Sequence, residues 1–323
     1  SYCYTSGSSI KERIVRYEYN MSTDQLENEE ILLNNIPTNT THAGSRLIVL
    51  ADNTLLISTG DGQSQSSAQN QSDLRGKILR MNLDGSIPVD NPISGSYVWS
   101  WGHRNAQGLL LGPNGIIYSS EHGPTNDDEF NILSPGQNYG WPTVNGFCND
   151  VTETNFCDEN DVVEPLMVWT PTIAPSDIIW YGHESIPEFK DTILMTVLKD
   201  KMLVRFELSA DGLSITNATN LFQFEWGRLR DIVVSPDGKI YVATNGNSWP
   251  SQPPNDIIEL YNADFACNTL PGDSNLDGSI DMLDLPGLVQ GVLESSPPNA
   301  CMDVNVDGNK NVLDVVALVS LLD

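Results

Sequence analysis

The stretch LVRFELSADG (residues 203–212) alternates apolar and polar side chains and ends in the turn signal Asp-Gly. A short alternating run that closes on such a turn predicts one strand of an antiparallel sheet. Repetition of this form at intervals of 52 to 73 residues, with several strands in each unit, predicts a β-propeller. The other four segments of this form are IVRYEY (14–19), ILRMNLDG (78–85), FNILSPG (130–136) and IIELYN (257–262).

A second type of segment, a turn followed by a β-branched run, precedes three of these strands. These segments are NTLLISTGD (53–61), NGIIYSSEH (114–122) and DGKIYVATN (237–245). The chain opens inside a strand, SYCYTS (1–6), so we expect the first blade to be incomplete. A β-sandwich with long loops is the alternative that this pattern leaves open.

The net charge excludes two classes of partner. The 323 residues include 43 Asp or Glu and only 16 Lys or Arg, which gives a formal net charge of −27. A chain this acidic is a poor partner for nucleic acid and is repelled by anionic membrane surfaces. No apolar run reaches the roughly 18 residues that a membrane span requires, so none is predicted.

The composition changes near residue 266. Residues 267–323 hold nine acidic residues and one base, Lys310, and they contain two similar loops, DSNLDGSIDMLD (273–284) and DVNVDGNKNVLD (303–314). Apolar residues recur at i, i+3, i+4 and i+7 after each loop, which predicts two helices that bury their stripes against each other. We therefore divide the chain into a β-propeller, residues 1–266, and a small α-helical domain with two calcium loops, residues 267–323.

Each of these loops places ligand groups at the spacing that wraps one loop around a calcium ion, with a glycine at the sharp turn. Without the ion the carboxylates would repel one another, so we expect folding and calcium binding to be coupled. The predicted ligands are Asp273, Asn275, Asp277, Ser279, Asp281 and Asp284 in the first loop and Asp303, Asn305, Asp307, Asn309, Asn311 and Asp314 in the second. This tail resembles a dockerin, a calcium-dependent module of extracellular assemblies, and the resemblance implies a cohesin-like partner.

The cysteines indicate an oxidising compartment. Cys148/Cys157 and Cys267/Cys301 bracket short segments, which suits two local disulfides, and Cys3 is left over. We interpret the chain as a processed, secreted protein.

Seven motifs in the first part of the chain resemble, in the same order, motifs of the soluble quinoprotein sugar dehydrogenases. The motifs are THAGSRL (41–47), TGDG (59–62), GHRNAQG (102–108), SEHGPTNDDEFNIL (120–133), NYGWP (138–142), TPTIAPS (170–176) and GRLRDIVVSPDG (227–238). Those enzymes are six-bladed propellers that use pyrroloquinoline quinone (PQQ) and calcium to oxidise aldoses. The resemblance implies an all-β, six-bladed propeller whose incomplete first blade leaves sheet edges free for self-assembly.

Binding PQQ requires fixed cations because PQQ is a tricarboxylate. Arg228 and Arg230 alternate along a predicted strand, so both side chains point to the same side and both can reach one anion. From the residues alone, pairing with the abundant surface acids is an open alternative. The resemblance implies that the quinone is held by Arg104, Asn105, Lys199, Arg228 and Arg230.

Two residues match the catalytic pair of that family. His42 matches the base that takes the proton of the sugar's anomeric hydroxyl, and Asp61 matches the carboxylate that orients the imidazole. Imidazole titrates in the range that such a base requires. We interpret His103, His122 and His183 as structural or rim residues.

The resemblance also implies two calcium positions in the propeller. Gly123 and Pro124 match residues whose carbonyls bind the ion beside PQQ, where the metal acts as a Lewis acid. A structural calcium ion is matched by a second set: Asn145, Phe147, Asn149 and Glu164.

Together these features favour a secreted, PQQ- and calcium-dependent dehydrogenase of aldoses or oligosaccharides, tethered through its dockerin. One departure supports an alternative: Thr41 stands where some family members have an acidic residue before the base. That alternative is a non-catalytic propeller that binds carbohydrate or serves as an assembly component.

Overall fold

The computed structural model describes residues 1–262, 270–275, 277–294, 300–305 and 310–322. Its strands form five sheets, the blades of a β-propeller. The prediction of an all-β propeller is confirmed, but the prediction of six blades is wrong, because the described residues form five. Each of the five recurrent sequence segments lies in a different sheet. The repeats themselves therefore indicate five blades, and the sixth came only from the resemblance.

The second, third and fourth sheets have four strands each, and the first and fifth have three. The first two sheets contain β1 (Tyr2–Ser6), β2 (Ser9–Asn20), β3 (Gln25–Thr38), β4 (Gly44–Val49), β5 (Thr54–Thr59), β6 (Lys77–Asn82) and β7 (Val98–Trp101). The other three contain β8 (Ala106–Leu111), β9 (Ile117–Glu121), β10 (Asp128–Leu133), β11 (Met167–Trp169), β12 (Pro175–Tyr181), β13 (Thr192–Val197), β14 (Met202–Leu208), β15 (Ile215–Leu221), β16 (Leu229–Val234), β17 (Ile240–Thr244) and β18 (Ile257–Leu260).

The fourth sheet shows how the sequence produces a blade. β14, which contains the LVRFEL run, pairs antiparallel with β13 so that Phe206 lies opposite Ile193. Both side chains are fully buried, and each such burial stabilises the fold by roughly 1.5–3 kcal/mol. The turn after β14 closes where the Gly212 N–H donates to the Ser209 carbonyl at 2.8 Å. Gly212 has φ +76°, a conformation that favours glycine, so the Asp-Gly signal marks a real turn.

The hydrophobic core lies between neighbouring sheets. The Phe130 ring stacks on Tyr118 of its own sheet, with centroids 5.7 Å apart, and on Phe206 of the next sheet, at 4.8 Å. Between the first two sheets the buried cluster is Ile14, Ile36, Ile57, Leu79, Met81 and Val98.

Hydrogen bonds also join neighbouring sheets near the start of their first strands. Arg46 Nε donates to the Gln107 carbonyl at 3.0 Å, which links β4 to β8. Ser120 Oγ donates to the Ser176 carbonyl at 2.5 Å, and Ser176 Oγ donates to the Arg230 carbonyl at 2.6 Å. These contacts fix the spacing of four sheets at one end.

The chain forms two compact units. The first is made of Ser1–Trp180, Thr192–Asp231 and Ala243–Asp256, and the second of Tyr181–Asp191, Ile232–Val242 and Ile257–Asp323. The helices are α1 (Val151–Asn160), α2 (Asp284–Glu294) and α3 (Val312–Leu322), with short 3-10 helices at Gln65–Gln69 and Ala300–Met302.

The two predicted helices after the calcium loops correspond to α2 and α3, both in the second unit. Leu288 of α2 and Leu318 of α3 are fully buried and pack together with Val304. The predicted apolar stripes therefore do bury against each other.

Cys148 and Cys157 form the predicted disulfide. Of the other predicted pair, Cys267 lies outside the described residues, and Cys3 is an exposed free thiol. No helix in the described part of the chain is long and apolar enough to cross a membrane.

Candidate cofactor and active site

Four of the five sheets bring loop residues to one cavity. In an antiparallel sheet the start of the first strand lies beside the end of the second. Residues 40–45 lead into β4, Arg228 directly precedes β16, and Lys199 follows β13, so these segments meet at one end of their sheets. They surround a cavity of about 690 Å³. Its lining residues are Thr40, Thr41, His42, Ala43, Gly44, Ser45, Asn105, Gln107, His122, Ala174, Leu198, Lys199, Arg228, Arg230, Asn245 and Trp249.

His42 and Asp61, the predicted catalytic pair, are in direct contact. His42 Nδ1 lies 2.7 Å from Asp61 Oδ1, and Arg104 Nη2 lies 3.2 Å from His42 Nε2. A carboxylate can only accept and a guanidinium can only donate, so His42 carries its proton on Nδ1 and a lone pair on Nε2. Gly60 permits this approach, because a Cβ at that position would overlap the His42 carbonyl.

The Asp61 carboxylate is fully buried and fully hydrogen-bonded. Oδ1 also accepts from the Gln63 N–H at 2.8 Å, and Oδ2 accepts from Trp141 Nε1 at 3.0 Å. Burial alone would raise the pKa of Asp61. The hydrogen bonds and charge of His42, with the Gln63 and Trp141 hydrogen bonds, outweigh burial and lower that pKa below its usual value. Asp61 is therefore a fixed negative charge behind the imidazole.

Trp141 is a site residue that sequence reasoning missed. It belongs to the NYGWP motif, but it lies 80 residues from Asp61, so no local pattern indicated their contact. Its ring also supports Arg104, whose guanidinium carbon lies 5.3 Å from the ring centroid. The same indole therefore contacts the residues on both sides of the His42 imidazole.

Arg104 lies beside His42 and outside the lining of the main cavity. Its Nη1 donates to the His122 carbonyl at 3.0 Å, and its Nε has no partner among the residues that the structure describes. Burial lowers the pKa of this guanidinium, which nevertheless stays charged. The structure thus places Arg104 against His42, the predicted base.

Glu121 holds the backbone that carries Arg104 and Asn105. Both backbone N–H groups donate to Glu121 Oε1, with the Asn105 bond at 2.8 Å. His103 Nδ1 lies 3.0 Å from Oε2 of the same carboxylate, and both side chains are buried. The structure therefore gives His103 the structural position that the sequence analysis assigned to it.

Arg228, Arg230 and Lys199 all line the main cavity, as their shared prediction requires. Arg230 Nη1 donates to Gln107 Oε1 at 2.8 Å, and Lys199 Nζ donates to the Thr172 carbonyl at 2.5 Å. Burial lowers the pKa of Arg228, and burial together with the charge of Arg46 lowers that of Arg230. Within the described part of the chain, none of the three cations forms an ion pair with a carboxylate.

These cations fit a ligand with several carboxylates. Five other arginines, at positions 16, 46, 75, 80 and 205, pair with carboxylates, as expected in so acidic a chain. The cavity arginines, in contrast, have no carboxylate partner among the described residues, and Arg228 Nε is buried without any partner there. An unpaired polar group of this kind costs free energy, and an anion in the cavity would satisfy it. The donor set therefore fits the PQQ that the sequence resemblance implies.

Two more residues of the cavity were not assigned as ligands from the sequence. Gln107 Nε2 donates to Asn105 Oδ1 at 3.1 Å while its carbonyl oxygen accepts from Arg230, so it links two predicted PQQ ligands. His122 Nε2 donates to the Pro175 carbonyl at 2.7 Å, which leaves Nδ1 as an acceptor. Burial lowers the pKa of His122 to about 4, so it is a neutral residue of the cavity wall.

The predicted calcium position at Gly123 and Pro124 lies in a tight loop. Asp128 Oδ1 accepts from the Gly123 N–H at 2.7 Å, and a side chain at Gly123 would overlap the Asn126 carbonyl. Asp128 Oδ2 accepts from the N–H groups of Ile173 and Ala174, both at 2.6 Å. The carboxylate therefore ties the Gly123 loop to the loop that precedes β12.

Three of the predicted structural calcium ligands, Asn145, Phe147 and Asn149, precede α1, and the fourth, Glu164, follows it. Glu164 Oε1 accepts from the Cys148 N–H at 2.8 Å, and Glu129 Oε1 accepts from the Gly146 N–H at 2.9 Å. Burial, aided by the charge of Glu121, raises the pKa of Glu129 to about 8. Carboxylate oxygens are ligands that calcium prefers, and a bound cation would favour the charged form of this carboxyl group. Sequence reasoning missed Glu129, although it lies within a quoted motif.

In the first C-terminal loop the aspartates bind the loop's own backbone. Asp273 accepts from the N–H groups of Asp277 and Gly278 at 3.1 and 3.0 Å, and Asp284 accepts from those of Asn275 and Asp281 at 3.1 and 2.9 Å. In the second loop Asp314 accepts from the Asn311 N–H at 2.7 Å, whereas Asp307 and Asn309 lie outside the described residues. No group of three or more acidic, His or Cys side chains in the described residues has the spacing of a metal centre. The first loop nevertheless curls its carboxylates inward, as a calcium loop does.

Comparison with known proteins finds a matching family model for each of the two parts of the chain. A glucose/sorbosone dehydrogenase family model matches residues 1–249, and a dockerin type I domain model matches residues 271–323. The chain is 32% identical over 311 residues to quinoprotein glucose dehydrogenase B of Acinetobacter calcoaceticus, covering 72% of this chain and 65% of that protein. It is 31% identical to aldose sugar dehydrogenase YliI of Escherichia coli, covering 64% of this chain and 58% of that protein.

Solved structures give the same result. The PQQ-bound form of an aldose sugar dehydrogenase from Streptomyces coelicolor matches with a TM-score of 0.67 and 30% identity, covering 80% of this chain and 74% of that one. A glucose dehydrogenase matches with a TM-score of 0.71 and 27% identity, covering 79% and 75%. Three curated relatives match this chain over more than 200 residues. The chain spans between 54% and 65% of the length of each of them.

Proposed function

The chain belongs to the glucose/sorbosone dehydrogenase family and carries a dockerin domain, and from that premise we propose that it oxidises aldoses or oligosaccharides with PQQ and calcium. The observation that carries this proposal is the group of cavity cations without carboxylate partners, placed beside a His–Asp pair. We propose the same division as before, with the dehydrogenase in residues 1–266 and the dockerin in residues 267–323.

Three cations and two amides supply the proposed PQQ site. Arg228, Arg230 and Lys199 would bind the carboxylates, and Gln107 joins Asn105 to Arg230 in the cavity wall. Bound PQQ supplies the hydride acceptor, and calcium at the Gly123–Pro124 carbonyls supplies Lewis-acid polarisation. The role of the protein is to fix these groups before the substrate arrives, so that no reorganisation is needed during the reaction.

His42 is the proposed base. Its Nε2 lone pair can take the proton of the sugar's anomeric hydroxyl, and the Asp61 carboxylate stabilises the imidazolium that then forms. Arg104 donates to the same Nε2 in the structure, so the sugar hydroxyl would take the place of this guanidinium contact. Buried Trp141 holds Asp61 from behind, so the imidazole is kept in one orientation and tautomer.

The dockerin part leads to further proposals about location and partners. We propose that the protein is secreted, that its C-terminal loops bind calcium, and that a cohesin-like protein tethers it through α2 and α3. The disulfide at Cys148–Cys157 supports an oxidising compartment.

Reconstitution tests the catalytic proposal. Protein incubated with PQQ and calcium is expected to reduce an electron-accepting dye with at least one sugar of an aldose and oligosaccharide panel. His42→Ala is expected to bind PQQ and to lose turnover by about 100-fold or more. PQQ binding without oxidation of any sugar would favour the non-catalytic alternative, which Thr41 supports, and absence of PQQ binding would remove the proposal.

A further inference from the structure

Two loops beside the cavity expose aromatic side chains that the reaction described above does not use. Residues 222–228 lead into β16, and residues 245–256 follow β17, so both loops lie at the cavity end of the fifth sheet. The loops are packed together, since a Cβ at Gly227 would lie 2.5 Å from Asn247 Oδ1.

Trp249 is the main feature of this surface. Of the seven tryptophans, all within the described residues, only Trp249 is exposed, with 69% of its surface accessible. It also lines the 690 Å³ cavity, so its ring stands at the cavity mouth. Arg228 lies beneath this aromatic surface, with its guanidinium carbon 5.8 Å from the ring centroid. A cation–π contact of this kind restrains the indole without burying it.

The neighbouring loop, at the same end of the fifth sheet, carries a second exposed aromatic ring. Phe224 is 65% exposed, and the rings of Phe222 and Trp226 stack with their centroids 4.3 Å apart. Exposed aromatic rings at the cavity end of a sheet favour a binding role, because such rings offer apolar faces to a ligand.

The chemistry of the rim selects the ligand. With a net charge of −27 the protein repels anionic chains, and the rim offers ring faces but few charges. A pyranose has a face of C–H bonds that packs on the negative face of an indole, while its hydroxyl groups stay in water. A neutral sugar ring therefore fits the rim better than a charged or purely apolar ligand does.

We propose that Trp249 is a sugar-binding subsite, with Phe224 as a further contact, and that the substrate is the reducing end of an oligosaccharide. This inference rests on the proposed function, because it is the sugar in the cavity whose oxidation defines the reducing end. The next sugar units of the oligosaccharide would then extend out of the cavity across the Trp249 ring.

The first test needs no catalysis. Borohydride-reduced cellotetraose and maltotetraose, which cannot be oxidised at the reducing end, are titrated into the full chain by calorimetry. Wild-type protein is expected to bind at least one of them, Trp249→Ala to lose about 10-fold or more in affinity, and Trp249→Phe to lose less. Tyr19→Ala is the matched control, because Tyr19 is an exposed aromatic residue (59%) on β2 and lies outside the cavity lining. No binding by wild-type protein, or equal binding by Trp249→Ala, would overturn the inference.

The second test separates the subsite from the cofactor site. In PQQ-loaded protein the ratio of kcat/KM for the unreduced tetrasaccharide to that for glucose is expected to fall about 10-fold in Trp249→Ala. An equal loss for both sugars would mean that Trp249 acts through Arg228 on the cofactor, which contradicts the proposal. If the protein oxidises no sugar at all, the proposed function fails, and the calorimetry still decides whether the rim binds oligosaccharide.

Discussion

The cavity and the first C-terminal loop carry opposite charge imbalances. The cavity holds Arg228, Arg230 and Lys199 without a carboxylate partner, whereas the loop holds four aspartates that, among the described residues, form no ion pair. Elsewhere the chain matches its charges, as at Arg80, which donates to Asp52 at 2.7 Å and to Asp90 at 3.0 Å. Two local imbalances of opposite sign indicate two ligands of opposite sign, an organic anion and a metal cation.

The arginines show this contrast most clearly. Burial lowers the pKa of Arg80, but the hydrogen bonds and charges of Asp90 and Asp52 outweigh burial and raise it above the ordinary value. For Arg230 burial and the charge of Arg46 outweigh the charges of Asp231 and Asp177, so its pKa is lowered. The same residue type is therefore satisfied by the protein in one region and left for a ligand in the other.

The largest expected effect comes from removing the unpaired arginines of the cavity. Replacing both Arg228 and Arg230 with alanine is expected to weaken PQQ binding about 1,000-fold, because two charge-assisted hydrogen bonds of roughly 1.5–3 kcal/mol each are lost. Calorimetric titration measures this loss. The variant is expected to melt only slightly below wild type, since neither guanidinium has an ion-pair partner to lose and Arg230 gives up one hydrogen bond to Gln107. A variant that binds PQQ as tightly as wild type would contradict this expectation.

The second prediction concerns the aspartates of the first C-terminal loop. Asp284 is fully buried and holds two N–H groups of the first loop, so Asp284→Ala is expected to weaken calcium binding about 10- to 100-fold. Chelation of wild-type protein is expected to remove the helical circular dichroism signal of α2 and α3 and leave that of α1 and most of the β signal. Asp158→Ala, an exposed aspartate of α1, is the control. A helical signal that chelator does not change would refute the calcium-loop interpretation.

The third prediction concerns Asp61, the buried negative charge behind His42. Trp141→Phe removes one hydrogen bond that lowers the pKa of Asp61, so this pKa is expected to rise. In the folded protein this pKa is depressed, so the stability that Asp61 contributes is lost as pH falls through the folded value. Loss of stability with falling pH should therefore begin at a higher pH in the variant than in wild type, and turnover is expected to fall about 10-fold. An unchanged pH dependence of the free energy of unfolding would show that Trp141 does not stabilise the Asp61 carboxylate.

The smallest expected effect concerns Arg80, an arginine that is paired with carboxylates of the protein itself. Arg80→Ala is expected to lower the free energy of unfolding by about 1–2 kcal/mol, because Asp52 and Asp90 are half-exposed and solvent replaces part of the pairing. Chemical denaturation measures this change. PQQ affinity should stay at the wild-type value, and a large loss of affinity would mean that the two sets of arginines are not independent.

Sequence patterns predicted the parts of this molecule that depend on local order. The turn-and-strand repeats place one recurrent segment in every sheet, and the i, i+3, i+4, i+7 spacing gives the buried faces of α2 and α3. The sixth blade was wrong because it was taken from the resemblance and not from a repeat in this chain.

Contacts between distant segments were the part that sequence could not give. Trp141 reaches Asp61 across 80 residues, and Gln107 reaches Arg230 across 123 residues. Such contacts depend on how neighbouring sheets are spaced, and that spacing is set by packing and by hydrogen bonds such as Ser176 to the Arg230 carbonyl. The sequence motifs placed these residues near the site but did not assign their roles.

The most direct test of whether the cavity guanidiniums bind carboxylates is a titration of the unaltered protein. The two ligands, each titrated in the presence of calcium, are PQQ and its trimethyl ester. The account predicts that the triacid binds with one-to-one stoichiometry and that the uncharged ester binds at least 100-fold more weakly, because the ester offers Arg228 and Arg230 no negative charge. Equal affinity for the two compounds, or no saturable binding of either, would contradict it.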